Sequence, residues 1–178
     1  MIKVDDSRIL KFSYRGAPQT IDVMRQAAIS SQNKLVVRRL AEDVCSQIDS
    51  KDYVSEYLAI YNFILQKTRY MRDPRTVELV IAPHIVAEEI LAGGRPNLDC
   101  DDYSATLGAL ILSVGGSVRY VTVAFSDVFY NGQRQYSHVF VQALEPRTGI
   151  WIVLDPVAAE KTQQMLDRVK AAAVWPVA

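Results

Sequence analysis

A chain of 178 residues with 49% hydrophobic side chains is long enough to bury a core of its own, and its 20 basic and 20 acidic groups give a formal net charge of zero. That balance supplies no global field toward nucleic acid or an anionic membrane, so neither is expected as a partner. No stretch reaches the apolar length of a membrane-spanning helix, and Met1-Ile2-Lys3-Val4-Asp5-Asp6 lacks the apolar core of a secretion signal. Two cysteines, Cys45 and Cys100, make no disulfide framework, and a cytoplasmic location is the expectation.

Taken along the chain, the pattern is helical first and mixed afterwards, and it predicts one domain over 1–178, with a helical part over about 20–91 and a cysteine helix and sheet over about 98–178. Ile9 to Tyr14 reads as a short edge strand broken at Gly16-Ala17-Pro18. Thr20 to Ile29, Lys34 to Ile48 and Asp52 to Arg69 read as three helices, the third carrying Val54, Leu58, Tyr61 and Leu65 at helical spacing. Asp73-Pro74 ends that helix, and Pro83 starts a short one running to about Leu91. The main loop is Ala92 to Asn97.

Asp99 then caps a helix beginning at Cys100, with Tyr103, Leu107, Leu110 and Val114 on one face and Ala105, Ala109 and Leu112 making the other apolar as well. A helix apolar all round is a buried one, and Gly115-Gly116 ends it. Ser117 to Phe125 is the next strand, Ser126 to Tyr136 a loop, Ser137 to Leu144 and Ile150 to Asp155 a hairpin around Glu145 to Gly149, and Gln163 to Ala172 a closing helix. If Leu144 pairs with Gly149, His138 stands directly opposite Asp155, close enough for a carboxylate to reach the imidazole.

The chemistry converges on Cys100, His138 and Asp155. A thiol at a helix N-terminus feels the positive end of the helix dipole, which favours the thiolate, whereas Asp99, Asp101 and Asp102 oppose it; activation then falls to His138 as base, oriented by Asp155. The acidic run lacks the glycine and the later bidentate Glu of a calcium loop, and CxxC or HxxxH spacing is missing, so no metal or other cofactor is expected. Gly93-Gly94 lacks the phosphate-loop pattern. Cys45, among Leu40, Val44 and Ile48, reads as a small core residue, and His84 as a helix-surface residue without chemistry.

Asp99-Cys100-Asp101-Asp102-Tyr103-Ser104, then Gly115-Gly116, Ser137-His138-Val139 and Trp151 to Pro156 together resemble the transglutaminase-like superfamily, its small bacterial and phage-borne members above all. Tyr61-Asn62-Phe63-Ile64 and Arg69-Tyr70-Met71-Arg72-Asp73-Pro74 resemble the segment that precedes the cysteine in those proteins, so that the resemblance covers roughly the last two thirds of the chain. The departure is the acidic surround of the cysteine, where Gly, Ala or Glu is more usual.

The resemblance implies an α+β, papain-like fold, with a helical N-terminal half and a central buried helix carrying Cys100 packed on an antiparallel sheet. It also implies a Cys-His-Asp triad at Cys100, His138 and Asp155, doing amide hydrolysis or acyl transfer on a protein or peptide substrate. The other reading is a phage or prophage structural or assembly protein that keeps the fold with an idle site, its partners then being phage structural proteins in the host cytoplasm.

Overall fold

In a computed structural model the described residues are 9–12, 16–73, 78–156, 164 and 167–177, with the main chain alone described at 9–12 and 78. The helices are α1 (Ala17–Gln32), α2 (Leu35–Cys45), α3 (Tyr53–Lys67), α4 (Pro83–Leu91) and α5 (Cys100–Ser113). Four strands, β5 (Val118–Ala124), β8 (His138–Glu145), β9 (Ile150–Leu154) and β10 (Ala171–Pro176), form an antiparallel sheet in the order β10-β5-β8-β9. Short pairs complete the set: β1 (Ile9–Phe12) with β3 (Glu78–Ile81), β2 (Arg69–Tyr70) with β4 (Asn97–Leu98), and β6 (Phe129–Tyr130) with β7 (Gln133–Arg134). Helices on an antiparallel sheet make this an α+β fold.

Helix α5 is the centre of the molecule. Every residue from Asp101 to Ile111 is buried, as the apolar run on both faces requires. Helix α1 packs on one side of it, while β8 and β5 pack on another. The approach is close enough at Gly108 that a Cβ there would lie 2.9 Å from the Tyr120 hydroxyl, so the missing side chain sets the distance between helix and sheet. Strand alternation does the rest: Val118, Tyr120, Val139, Val141 and Leu154 join the helical core, whereas Val121, Val123 and Phe140 form a second apolar group.

Several expected boundaries move, each for a local reason. Helix α3 stops at Lys67 because the Thr68 hydroxyl donates to Ile64 O at 2.6 Å, closing the last turn before the chain extends through Arg69. Helix α2 ends at Cys45 rather than Ile48. The expected loop from Ser126 to Tyr136 contains the β6–β7 hairpin, whose Asn131 and Gly132 take φ of 49° and 75°, the positive values a two-residue hairpin turn demands. Of the closing helix expected over Gln163 to Ala172, Ala171 and Ala172 lie instead on β10, paired with Ala124 and Val123, and residues 167–170 form a turn and bend, with Lys170 N already donating to Ala124 O, while residues 163, 165 and 166 lie outside the described residues. The last two residues of the first expected strand, Ser13 and Tyr14, and the Pro74 stop lie outside them too.

The central hairpin is also shifted. Glu145 pairs with Ile150 and Leu144 with Trp151, two residues away from the expected register. Glu145 closes the strand because its carboxylate accepts from the Thr148 hydroxyl and from the Arg147 and Thr148 amides at 3.1 and 2.7 Å; these bonds, the hydroxyl's first, hold its ionisation down at about 2. Gly149 belongs to the turn because its φ is 74°, in the left-handed region. A shift of two keeps every side chain on its face, where a shift of one would have reversed them all. Among the described residues no helix is long and apolar enough to cross a membrane.

Candidate active site

Asp99 builds the N-terminus of α5. Its carboxylate accepts from the amides of Asp101 and Asp102 at 3.2 and 3.3 Å, and Asp102 returns the favour by accepting from the Asp99 amide at 3.4 Å, a reciprocal capping box. Cys100 is the first residue of the helix and is half-buried. The second oxygen of Asp102 accepts from Ile81 N at 2.7 Å, tying the cysteine helix to β3, while the Asp73 carboxylate accepts from Leu79 N at 2.6 Å. Burial, and after it the charge of Asp99, pushes the Asp102 carboxyl up to about 8. Part of the negative charge that the sequence places around Cys100 is therefore withdrawn, because Asp102 holds its proton at neutral pH, while the Asp99 carboxylate accepts from the helix amides. Asp101 stays close to the sulfur, with Cys100 Sγ 3.8 Å from its Oδ1.

The register of the hairpin decides how His138 and Asp155 meet. Continued one step past Val141 and Leu154, it puts Asp155 across from Phe140, so His138 is its diagonal neighbour and not its direct opposite as the sequence suggested. Diagonal neighbours on one face are within reach of a long side chain, and His138 Nε2 lies 2.8 Å from Asp155 Oδ2. The pair is enclosed, the imidazole 9% exposed and the carboxylate 0%. Helix α3 supports it: the Tyr61 hydroxyl donates to the Asp155 carbonyl oxygen at 3.0 Å, and its own ionisation is pushed up by burial and by the carboxylate beside it. In the sequence Tyr61 stood as one apolar position in a helical stripe and as the first residue of the segment that resembles the one preceding the family's cysteine, with no contact to the site implied.

Ser104 connects the cysteine helix to the histidine strand. Its buried hydroxyl donates to Cys100 O at 2.7 Å and also approaches Val139 O at 3.4 Å, so the first turn of α5 lies against the entry to β8. On the other side, the parallel pairing of Arg69–Tyr70 with Asn97–Leu98, with Met71 N donating to Leu98 O at 2.9 Å, carries Tyr70 and Arg72 alongside the chain just before Cys100. Burial raises the Tyr70 phenol first of all, and the cysteine and Asp99 add to it; the Arg72 guanidinium, hydrogen-bonded to the Tyr70 hydroxyl, works the other way.

The other two sulfur and imidazole groups have different environments. Burial, followed by the charge of Glu56, pushes the Cys45 thiol up to about 11, the opposite of what a nucleophile needs. His84 is half-buried, with Nδ1 3.1 Å from the hydroxyl of the fully buried Ser31; it joins α4 to α1 instead of lying on the helix surface as expected.

No protein-family model and no curated protein matches the chain. Solved structures do. A candidate protease from Parabacteroides distasonis superposes with a TM-score of 0.54 at 10% identity over 80% of this chain and 27% of its own. A candidate cysteine protease from Cytophaga hutchinsonii superposes with a TM-score of 0.50 at 17% identity over 94% of this chain and 58% of its own. The chain thus spans about a quarter and somewhat under three fifths of the lengths of these two proteins. At such identities the likeness is one of fold, shared with protease-like proteins.

Proposed function

We propose that the chain is a cysteine hydrolase or acyltransferase of the transglutaminase-like, papain-like type, a single domain acting on an amide bond of a peptide or protein substrate. The observation that carries this reading is the enclosed His138–Asp155 hydrogen bond of 2.8 Å, with His138 on the strand against which the buried helix headed by Cys100 packs. Fold likeness to protease-like structures supports it as well.

The mechanism follows from the groups present. An Nε2–H donated to Asp155 fixes the neutral imidazole in the tautomer whose Nδ1 is the base, so Nδ1 is the nitrogen that serves the Cys100 thiol. The thiolate attacks the amide carbonyl carbon, the oxyanion develops near the Cys100 amide at the helix N-terminus, and His138 returns the proton to the leaving amine. Water then cleaves the thioester with His138 again as base, and an amine in place of water gives acyl transfer. Asp155 is worth most as an ionised, oriented partner to the imidazolium, which is why a closed carboxylate suits the role.

A second reading, an idle phage or prophage structural or assembly protein that retains the fold, is favoured by one observation, the Asp101 carboxylate 3.8 Å from the sulfur. Site-resolved alkylation separates the two. An active site makes Cys100 react fast and with a pH dependence that collapses in a His138→Ala variant, whereas equal rates at Cys45 and Cys100, unmoved by His138, would favour the idle protein.

A further inference from the structure

Whatever activates Cys100 has to overcome its acidic surroundings. Along its own element the thiol has Asp101 at 3.8 Å and Asp99 before it; Ser104 ties the Cys100 carbonyl to Val139, at the end of β8 where His138 and Asp155 pair, and from the segment after β2 come Tyr70, Arg72 and, facing Asp99, Asp73. Arg72 is the one permanent cation in that set. Its position follows from main-chain geometry: the β2–β4 pairing, continued by the Met71 N to Leu98 O bond, aligns residues 69–71 with 97–98, so residue 72 emerges beside the start of α5. The guanidinium is exposed to solvent, donates to the Tyr70 hydroxyl and interacts electrostatically with Cys100.

We propose that Arg72, braced by the Tyr70 hydroxyl, is the counter-ion that holds Cys100 as a thiolate against Asp99 and Asp101. It is a positioning residue, acting on the nucleophile by charge and not by touching substrate. The inference rests on the reading of Cys100 as a nucleophile, yet it concerns the thiol's charge state and can be measured without any substrate. The planar guanidinium can hold the phenol oxygen with one edge and direct its charge toward the sulfur with the rest, a division that a lysine ammonium imitates only in charge. A neighbouring opposite charge moves an ionisation by up to about one to three pH units, and exposure of Arg72 to water reduces that to about half a unit or one.

The test is the pH dependence of Cys100 alkylation by iodoacetamide, a neutral probe that the cation neither attracts nor repels, followed at the peptide level with Cys45 as an internal reference. Arg72→Gln is expected to move the midpoint of the Cys100 profile up by about half a pH unit or more and to slow the reaction at pH 7 by about three- to tenfold, with Arg72→Lys restoring most of the loss and Tyr70→Phe giving a smaller upward shift. An unchanged midpoint in Arg72→Gln, or a drop in rate with no shift of midpoint and no rescue by lysine, would overturn the proposal. Its failure is distinguishable from failure of the hydrolase reading. If His138→Ala slows alkylation and Arg72→Gln does not shift it, the counter-ion falls alone. If Arg72→Gln shifts the profile while His138→Ala leaves the rate unchanged, the counter-ion stands and the triad falls.

Discussion

His138 Nε2 and Asp155 Oδ2 meet at 2.8 Å across adjacent strands, although the two residues are two positions out of direct opposition. The contact survives because a shift of two preserves the face each side chain occupies. It also fixes Nε2 as the imidazole nitrogen that faces a carboxylate, which leaves Nδ1 as the base of the proposed triad.

Asp155→Asn keeps the size of the side chain but allows the amide to donate to Nε2, stabilising the wrong tautomer. Alkylation of Cys100 at neutral pH should slow by at least tenfold, and amide or ester turnover by about 10²- to 10⁴-fold, with the fold retained by circular dichroism. Turnover within twofold of the parent would separate Asp155 from the chemistry.

Asp102 gives stability a pH dependence of known sign. Its carboxyl sits at about 8 in the folded chain against about 4 when unfolded, so folding binds its proton more tightly. That contribution is fully present below about pH 4 and is lost as pH rises through about 8. Melting temperature should therefore fall between about pH 4 and 8 and level off above that, and Asp102→Asn, which stays uncharged, should flatten the slope in that window. A variant with the parent's slope would mean that another group titrates.

The helix-to-sheet distance at Gly108 can be tested by a pair of substitutions. Gly108→Ala places a methyl 2.9 Å from the Tyr120 hydroxyl, an overpacking that costs about 1–3 kcal/mol. The hydroxyl is buried with no hydrogen-bond partner among the described residues, so Tyr120→Phe alone should be close to neutral or stabilising, and in combination it should relieve most of the Gly108→Ala loss. Denaturant midpoints of the two single variants and the double variant give the coupling; strict additivity would contradict it.

Ser104 offers a gentler probe of how α5 is held on β8. Removing its hydroxyl in Ser104→Ala deletes the bonds to Cys100 O and Val139 O, at a cost of about 1 kcal/mol. If that bridge also keeps the thiol near its base, Cys100 alkylation slows while Cys45 alkylation does not.

The parts of the fold legible in the sequence were those written in local chemistry. An Asp before a run apolar on both faces foretold the capped, buried helix α5, and apolar β-branched runs on either side of Pro146 and Gly149 foretold β8 and β9. The register was not legible because it depends on Glu145 gathering the turn amides and on Gly149 taking a positive φ, two features that exist only once the turn has formed. The first two residues of strand β10, Ala171 and Ala172, were misread as the end of a helix because alanine favours helix locally, and pairing with β5 overrides that preference. The Asn131-Gly132 signal was present and was passed over within a longer polar stretch. At the site, three acidic residues around a cysteine looked alike in sequence. Their separate fates, a cap, a protonated buried acid and a neighbour of the sulfur, are set by burial and by partners such as Ile81 N, which lies 21 residues away from Asp102 in the chain.

The most direct test of the central claim is acylation of the protein by p-nitrophenyl acetate at neutral pH, read by intact mass and peptide mapping. A Cys100–His138–Asp155 triad predicts a single acetyl group that appears in a burst on Cys100, is then hydrolysed, and is lost in Cys100→Ala and strongly slowed in His138→Ala. Acetyl groups spread evenly over Cys45, Cys100 and surface lysines, at rates that do not respond to His138→Ala, would contradict it.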